Sequence, residues 1–571
     1  MTQNISPQSA GIAIPKNDFK SNLIYLILAS LGINLLAMAM PIMMLQTYDR
    51  ILPNHGYGTL TLLIFGVITA AILEVILRIA RSYLTSWGGA VFEYKTTCHA
   101  LRHMLNAAMQ PFEQQGSGAY LQKLSSISRL RGFYSGQALL TIVDLPFVFI
   151  FLFLIGYIAG NLVYVPIILF SSFCLLAGIV GYRLRKHVAE QDFGNKIRYN
   201  FIIETLTGIH TTKGMGLEKF FLRRHDRLQT RISAAHYQVA MTNTLAINCG
   251  MLFSQIMTVS VVSLGALMVL DGRMGTGGLA ACVMLSGRIM QPVQRALSLW
   301  TRFQSFFIDK NELQEIFALP TMQFDENELI DSTTGSLTLD GISFGYDKNA
   351  PPLLRNISLD LKPGHSVAFS GSSGSGKTTI LQMIAGLLVP TEGKLTINGA
   401  SPHLVDPVIL NKHIGYLAEN GTIFYGTIRE NLTFFGSVPE EDAMAAARML
   451  GIDEAVAILP EGYETRLTDN VSDPVPPGLK QRIAVARVLA NKPRIILFDN
   501  ADRGLDKKGY NLGFKLLGRL KPKVILIMIS DDRNILRLVD QEYFIKQGRL
   551  QESKPADSKI YSTLPFREFR I

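Results

Sequence analysis

The sequence predicts an α-helical membrane domain of six spans followed by an α/β domain, and three observations support this fold class. The 571 residues are 48% hydrophobic and have a mean hydropathy of +0.23, which is too apolar for an ordinary soluble enzyme. Uncharged stretches long enough to cross a bilayer lie before residue 300. From Ser336, short β-type runs alternate with helical segments, as in a parallel α/β domain.

Six stretches supply the predicted spans. They are residues 21 to 48, about 58 to 80, two spans within 145 to 182, residues near 241 to 270, and about 275 to 300. The first has no Asp, Glu, Lys or Arg and is longer than the ~20 residues that a crossing helix needs. A turn near Gly160 separates the third span from the fourth. The sixth is weaker, because Arg288 and Arg295 interrupt it.

The charges between the spans predict the topology. Residues 78 to 131 carry seven Lys and Arg against two acids, and residues 183 to 231 carry eleven against five, whereas the short connections hold at most one basic residue. Basic loops stay cytoplasmic. The sequence therefore predicts a multi-pass membrane protein, with both termini and the α/β domain cytoplasmic. The net charge of +10 then indicates contact with membrane lipid rather than with nucleic acid.

These patterns set the predicted domain boundaries. They are a cytoplasmic N-terminal segment at 1–20, the six-helix domain at 21–310, a linker at 311–335, the α/β domain at 336–552 and a polar tail at 553–571. Two acids, Glu74 and Asp144, lie inside apolar stretches, where an ionisable group usually faces the bundle interior. Each is either a substrate or gating contact or a satisfied hydrogen bond, and the lack of a partner visible in the sequence favours the hydrogen bond.

A glycine-rich loop carries the strongest chemical signal. HSVAFS predicts a strand, GSSGSGKTT a loop and ILQMIAGLL a helix, which is the context that the G-x-x-x-x-G-K-[ST] motif requires. In such a loop backbone N–H groups surround phosphate oxygens, Lys377 reaches the terminal phosphates, and Thr378 coordinates Mg²⁺ with Asp499 at the end of RIILFD. The sequence thus predicts ATP and Mg²⁺ binding. The predicted loop contacts are Gly371, Ser372, Ser373, Gly374, Ser375, Gly376, Lys377, Thr378 and Thr379.

The order and spacing of the motifs resemble those of an ATP-binding cassette (ABC) exporter half-transporter. The resemblance rests on the six spans followed by FGY, GSSGSGKTT, YLAENGTIFYGTIRENL, GLKQRIAVARVLANKPRIILFD and RGLD. Within the membrane half, PIMMLQTYDRILPN and TIVDLPFVFIFLFLI are similar to the type I secretion branch, which includes protein and bacteriocin exporters. The resemblance implies type I exporter architecture, a second half-transporter, an exported peptide or protein, and a periplasmic adaptor.

The resemblance also assigns roles to single residues. Tyr346 in FGY stands where the family stacks an aromatic ring on adenine, and Asp506 in RGLD keeps an aspartate that links two nucleotide sites. Other family positions differ. Glu419 replaces a glutamine that senses Mg²⁺, Asn500 replaces the glutamate that polarises the attacking water, and Asp531 or Ser530 replaces the histidine that contacts the terminal phosphate.

The signature that grips the partner's ATP is also replaced, and its LSGGQ-like pattern becomes Val475, Pro476, Pro477, Gly478 and Leu479. Proline fits the first turn of a helix, but it lacks a backbone donor, and the signature serine is lost. Asparagine can hydrogen-bond a water but cannot take its proton, and loss of a general base costs about 10² to 10⁴ in rate. Like-charge repulsion from the phosphates makes Glu419 a poor substitute base.

The sequence leaves three functions open. The chain is the hydrolysis-impaired, ATP-binding half of a heterodimeric exporter; or a non-transporting, ATP-binding subunit that regulates or assembles a secretion complex; or a slow homodimeric exporter. A homodimer would have two sites defective on both faces, which favours the heterodimer. Retention of Lys377, Thr378 and Asp499 favours nucleotide binding in all three.

Overall fold

The computed structural model describes residues 16–134, 137–325, 328, 330, 335–347, 350–467 and 475–553. The chain forms two compact units. The first comprises Met1–Asn106 and Gln114–Pro320, and the second comprises Ala107–Glu113 and Thr321–Ile571. Most of the predicted N-terminal segment and nearly all of the predicted polar tail lie outside the described residues.

Long helices build the first unit. In chain order the helices up to residue 317 are α1 Lys16–Leu36, α2 Ala39–Gln46, α3 Leu52–Asn54, α4 Tyr57–Leu105, α5 Met109–Glu113 (in the second unit), α6 Ser117–Tyr134, α7 Gln137–Asp144, α8 Phe147–Ala159, α9 Tyr164–Thr207, α10 Ile209–Gly214, α11 Glu218–Leu270 and α12 Thr276–Phe317. Helices α4 and α11 have 49 and 53 residues, or about 74 and 80 Å at 1.5 Å per residue. Both are therefore much longer than the hydrocarbon core of a bilayer, which is about 30 Å thick.

Within the described residues, four helical stretches are long and apolar enough to cross a membrane. They are Ile24–Asn54, Tyr57–Leu105, Phe147–Thr207 and Glu218–Leu270. The third contains both α8 and α9, which a 3₁₀ turn at Gly160–Val163 separates at the predicted position. Gly160 has φ +55°, a backbone conformation that favours glycine. Helix α12, which holds Arg288 and Arg295, is not among the four, and it continues to Phe317 into the predicted linker.

A buried polar cluster joins four helices of this unit. Arg81 of α4 is 5% exposed and donates from Nη1 to Ser30 Oγ of α1 at 2.8 Å and to Asp144 Oδ1 of α7 at 3.0 Å. Asn34 Nδ2 lies 3.4 Å from the same Asp144 oxygen, and Arg295 Nη1 of α12 lies 3.6 Å from Asp144 Oδ2. Asp144 is 6% exposed, and its carboxylate is hydrogen-bonded within the helix bundle, as the sequence favours.

Glu74 is also hydrogen-bonded, but by a residue of its own helix. Its Oε1 accepts from Arg78 Nε at 2.9 Å, so its partner lies one turn away on the same helix. Spacing i, i+4 brings two side chains together on one helix face. The prediction that Glu74 has no partner visible in the sequence was therefore wrong, because Arg78 lies four residues after it.

Within its described residues, the second unit contains three sheets. Its strands are β1 Leu337–Phe344, β2 Leu354–Leu361, β3 Ser366–Ser370, β4 Glu392–Ile397, β5 Ile414–Leu417, β6 Gly426–Thr427, β7 Arg466–Leu467, β8 Ile495–Asp499, β9 Ile525–Ile529, β10 Gln541–Lys546 and β11 Arg549–Ser553. Its further helices are α13 Lys377–Ile384, α14 Pro407–Leu410, α15 Ile428–Leu432, α16 Glu440–Met449, α17 Ile452–Val456, α18 Pro477–Leu489, α19 Lys507–Leu520 and α20 Arg533–Leu536.

The six-stranded sheet positions the candidate site. Its strand order is β11-β10-β3-β9-β8-β5, and neighbouring strands from β10 to β5 are parallel. Every residue of β8 and β9 is buried, as expected for central parallel strands that are apolar on both faces. The carboxyl ends of parallel strands share one edge of the sheet, where ligands of such sheets usually bind. The loops after β3, β5, β8 and β9 therefore meet at this edge.

Candidate nucleotide-binding site

The loop between β3 and α13 has the backbone that a phosphate cradle needs. Gly371, Gly374 and Gly376 have φ of +148°, +79° and +97°. A Cβ on Gly376 would lie 2.7 Å from Leu354 Cδ2, and one on Gly371 would lie 2.9 Å from the carbonyl oxygen of Ile545. All three positions therefore favour glycine by conformation, and Gly371 and Gly376 favour it also by space.

Two polar groups of this loop suit a phosphate ligand. Lys377 Nζ donates to the carbonyl oxygens of Gly371 at 2.7 Å and Ser372 at 3.0 Å, so the ammonium lies over the loop. Ser375 Oγ is buried and, within the described part of the chain, has no hydrogen-bond partner. Buried polar groups are normally paired, so an oxygen-rich ligand would satisfy this hydroxyl. The loop thus fits a bound phosphate.

The two residues predicted to hold Mg²⁺ lie together. Thr378 Oγ1 donates to Asp499 Oδ1 at 3.2 Å, and Tyr416 of β5 donates its hydroxyl to Asp499 Oδ2 at 2.8 Å. Asp499 is 6% exposed. Burial, together with the adjacent Asp499 carboxylate, raises the pKa of Tyr416 far above its usual range. A buried carboxylate beside a threonine hydroxyl suits Mg²⁺, which prefers oxygen ligands. Sequence reasoning missed Tyr416.

Tyr346 lies beside the first turn of α13. Its hydroxyl is 3.2 Å from Thr379 Oγ1, its ring contacts Phe344 edge to face, and the residue is 48% exposed. Gln110 of α5 donates from Nε2 to the Tyr346 carbonyl oxygen at 2.7 Å. An exposed aromatic ring next to the phosphate loop is available to stack on a base.

An arginine joins two of the replaced positions. Arg503, in the loop after β8, donates from Nη1 to Glu419 Oε1 at 3.0 Å and from Nη2 to Asp531 Oδ2. Glu419 follows β5 and Asp531 follows β9, so the guanidinium spans the end of the intervening strand β8. Sequence reasoning missed Arg503, because only the strand order brings its loop between those of Glu419 and Asp531.

The other two predicted replacements, Asn500 and Ser530, form hydrogen bonds with the backbone and with a partly buried acid. Asn500 has φ +49°, in the left-handed region that asparagine tolerates, and its N–H donates to the Ile529 carbonyl oxygen at 2.8 Å. Ser530, the other candidate for the histidine position, is 5% exposed and donates to Asp502 at 3.1 Å. Burial raises the pKa of Asp502. Ser530 is therefore directed into the protein, whereas Asp531 lies at the surface.

The segment predicted to replace the signature precedes and begins α18. Val475 and Leu479 are buried, Pro476 is the residue before the helix and Pro477 its first residue, where proline is tolerated. Residues 468–474, just before this segment, lie outside the described residues. Asp506 accepts from the backbone N–H of Gly509 at 3.0 Å and so caps α19, and it also pairs with Arg482.

The fold and this site define a P-loop nucleotide-binding protein joined to a helical membrane domain. Residues 354–503 match the ABC transporter family model, and residues 23–293 match that of the ABC transporter transmembrane region. The chain belongs to the ABC transporters. The fold is that of a type I exporter, because a solved bacterial Atm1-family ABC exporter with ATP bound superposes with a TM-score of 0.79, over 93% of this chain and 94% of that chain, at 19% identity.

Its curated relatives include bacterial exporters of toxins. The chain is 27% identical to the leukotoxin export ATP-binding protein LtxB of Aggregatibacter actinomycetemcomitans, over 94% of this chain and 77% of that protein. It is 28% identical to the cyclolysin secretion/processing ATP-binding protein CyaB of Bordetella pertussis, over 92% and 74%. It is 26% identical to the alpha-hemolysin translocation ATP-binding protein HlyB of Proteus vulgaris, also over 92% and 74%.

Proposed function

We propose that this chain is the ATP-binding half of a bacterial inner-membrane exporter of protein or peptide, and that its own nucleotide site is impaired in hydrolysis. The observation that carries the proposal is a contrast at one sheet edge. The phosphate loop has its glycine backbone, and Lys377 and Thr378 are placed for phosphate and metal. At the same edge, the Glu419 and Asp531 carboxylates are engaged by Arg503.

Each site residue then has a stated task. Lys377 binds the terminal phosphates, Thr378 and Asp499 hold Mg²⁺, and Tyr346 stacks on adenine. Bound Mg²⁺ neutralises phosphate charge. Asn500 orients a water without taking its proton, so efficient hydrolysis depends on a second half-transporter that supplies an intact site.

The names of the relatives support the proposed direction and cargo of transport. Those proteins are named for the export, secretion or translocation of leukotoxin, cyclolysin and alpha-hemolysin, which supports protein export across an inner membrane for this chain. The proposed assembly is a heterodimer with a periplasmic adaptor. Both termini and the nucleotide-binding unit are cytoplasmic, because the long loops are basic.

Lys377→Ala is expected to weaken Mg-ATP binding by the purified full-length chain about tenfold to a hundredfold, measured by calorimetry. The reason is the loss of charge-assisted hydrogen bonds to phosphate, each typically ~1.5–3 kcal/mol. Lys362→Ala is the matched control, because Lys362 is exposed and precedes the start of β3, whereas the phosphate loop follows its end. Its effect is expected to stay below about twofold.

Turnover is then measured with the chain alone and with the second half-transporter present. We expect background turnover alone and activity only in the mixture. Substantial turnover by the chain alone, abolished by Lys377→Ala, would instead establish the slow homodimeric exporter. Nucleotide binding unaffected by Lys377→Ala would contradict the assigned site.

A further inference from the structure

Arg503 occupies a position that none of the assigned tasks explains. Its backbone N–H donates to the Asn500 carbonyl oxygen at 3.1 Å. Arg503 lies three residues after Asn500 and four after Asp499. Its guanidinium reaches Glu419 after β5 on one side and Asp531 after β9 on the other. Strand β9 is also the neighbour of β3, whose end begins the phosphate loop. Arg503 therefore crosses the sheet edge at which the terminal phosphates are expected.

The charges of Glu419, Asp531 and Arg503 at this sheet edge affect the binding of a nucleotide. Two carboxylates beside the terminal phosphates would repel a nucleoside triphosphate more than a diphosphate, because the triphosphate carries more negative charge. A single guanidinium neutralises one of the two. It also presents planar N–H donors whose geometry matches phosphate as well as carboxylate.

The pairing is open to exchange. The side chains of Arg503, Glu419 and Asp531 are 50%, 44% and 78% exposed. Exposed ion pairs are weak and screened by water and salt, so either carboxylate can be replaced by a competing anion without a large penalty. By contrast, the side chain of Arg482, which pairs with Asp506, is only 5% exposed.

We propose that Arg503 is a terminal-phosphate contact of this site, and that its guanidinium exchanges Glu419 and Asp531 for the terminal phosphate of a nucleoside triphosphate. In the absence of that phosphate, the two carboxylates hold the arginine across the end of β8. The exchange makes the site distinguish ATP from ADP through a residue in the loop after β8. This inference rests on the proposed nucleotide binding and specifies how the triphosphate is recognised.

The test compares the affinities of Mg-ATP and Mg-ADP for the purified full-length chain by calorimetry. Arg503→Gln is expected to weaken ATP binding about tenfold and to change ADP binding less than about twofold, because only ATP presents the terminal phosphate. Arg494→Gln is the matched control, since Arg494 is exposed at the opposite end of β8. It is expected to leave both affinities unchanged.

A second set of variants separates direct contact from shielding. Glu419→Gln combined with Asp531→Asn removes both competitors, and it is expected to tighten ATP binding selectively. Adding Arg503→Gln to that pair then removes the contact without exposing unpaired carboxylates. If Arg503 binds the terminal phosphate, the triple variant binds ATP about tenfold more weakly than the double variant.

Three results would overturn the inference while leaving nucleotide binding in place. They are equal losses of ATP and ADP affinity in Arg503→Gln, no loss of either, or a triple variant that binds ATP as tightly as the double variant. The last result would show that Arg503 only shields the carboxylates. Failure of the unaltered chain to bind either nucleotide would overturn the proposed function itself and this inference with it.

Discussion

Replacing Asn500 by glutamate, together with Glu419→Gln and Asp531→His, is expected to raise ATP turnover at this chain's own site by about 10² to 10⁴-fold. The triple substitution restores a group that can accept a proton from the attacking water. It also removes the two carboxylates that repel phosphate. The measurement is steady-state turnover of the proposed heterodimer, in which the other half-transporter carries a substitution of its own phosphate-loop lysine.

The controls for this variant address strain and site identity. Asn500 lies at φ +49°, where a residue other than glycine, asparagine or aspartate costs roughly 1–2 kcal/mol, so the glutamate is expected to lower stability slightly. Asn500→Gln in the same background carries similar strain without a base, and it is expected to show no gain. The gain is also expected to disappear with Lys377→Ala. Unchanged turnover despite normal ATP binding would mean that the missing general base is not what limits hydrolysis.

The phosphate loop and its strands were predictable because their signals are local. HSVAFS contains β3 and GSSGSGKTT contains the loop, whereas α13 begins at Lys377, three residues before ILQMIAGLL, and ends at Ile384. The turn predicted near Gly160 is found for the same reason, since an uncharged stretch too long for one span must reverse. The membrane and soluble architecture follows from such local patterns.

The contacts at the carboxyl-end edge of the six-stranded sheet were not predictable in this way, because strand order decides them. Arg503 meets Glu419 from 84 positions away and Asp531 from 28, and Tyr416 meets Asp499 from 83. Only the arrangement β9-β8-β5 places these loops side by side. The sequence predicts each replacement singly, whereas the structure shows that Glu419 and Asp531 share one arginine.

Asp144 is another residue whose environment is decided by tertiary packing. Its partner Arg81 is 63 positions distant on another helix, so the sequence could favour a satisfied hydrogen bond but could not name the partner. The structure supplies it and adds Ser30, Asn34 and Arg295. Helices α1, α4, α7 and α12 therefore share one buried polar cluster.

Asp144→Asn is expected to destabilise the membrane unit by about 3–5 kcal/mol, because it leaves the Arg81 guanidinium buried without its counter-ion. The substitution keeps the size of the side chain, so lost packing contributes little. Thermal and denaturant unfolding of the purified full-length chain measure the effect. Asp271→Asn is the matched control, since Asp271 is 60% exposed and lies 3.8 Å from Arg273, and exposed pairs contribute ~1 kcal/mol or less.

A double-mutant cycle tests whether the loss of stability arises from the Arg81–Asp144 ion pair. Arg81→Gln alone leaves Asp144 with less compensation, although Arg295 at 3.6 Å retains part of it, so this single variant should be the milder one. The two substitutions together leave no ion pair to break, and the double variant is expected to be no less stable than Asp144→Asn. Strictly additive losses would contradict a coupled pair. Because the cluster connects α1, α4, α7 and α12, a coupled result would identify it as the point at which these helices are fixed relative to one another.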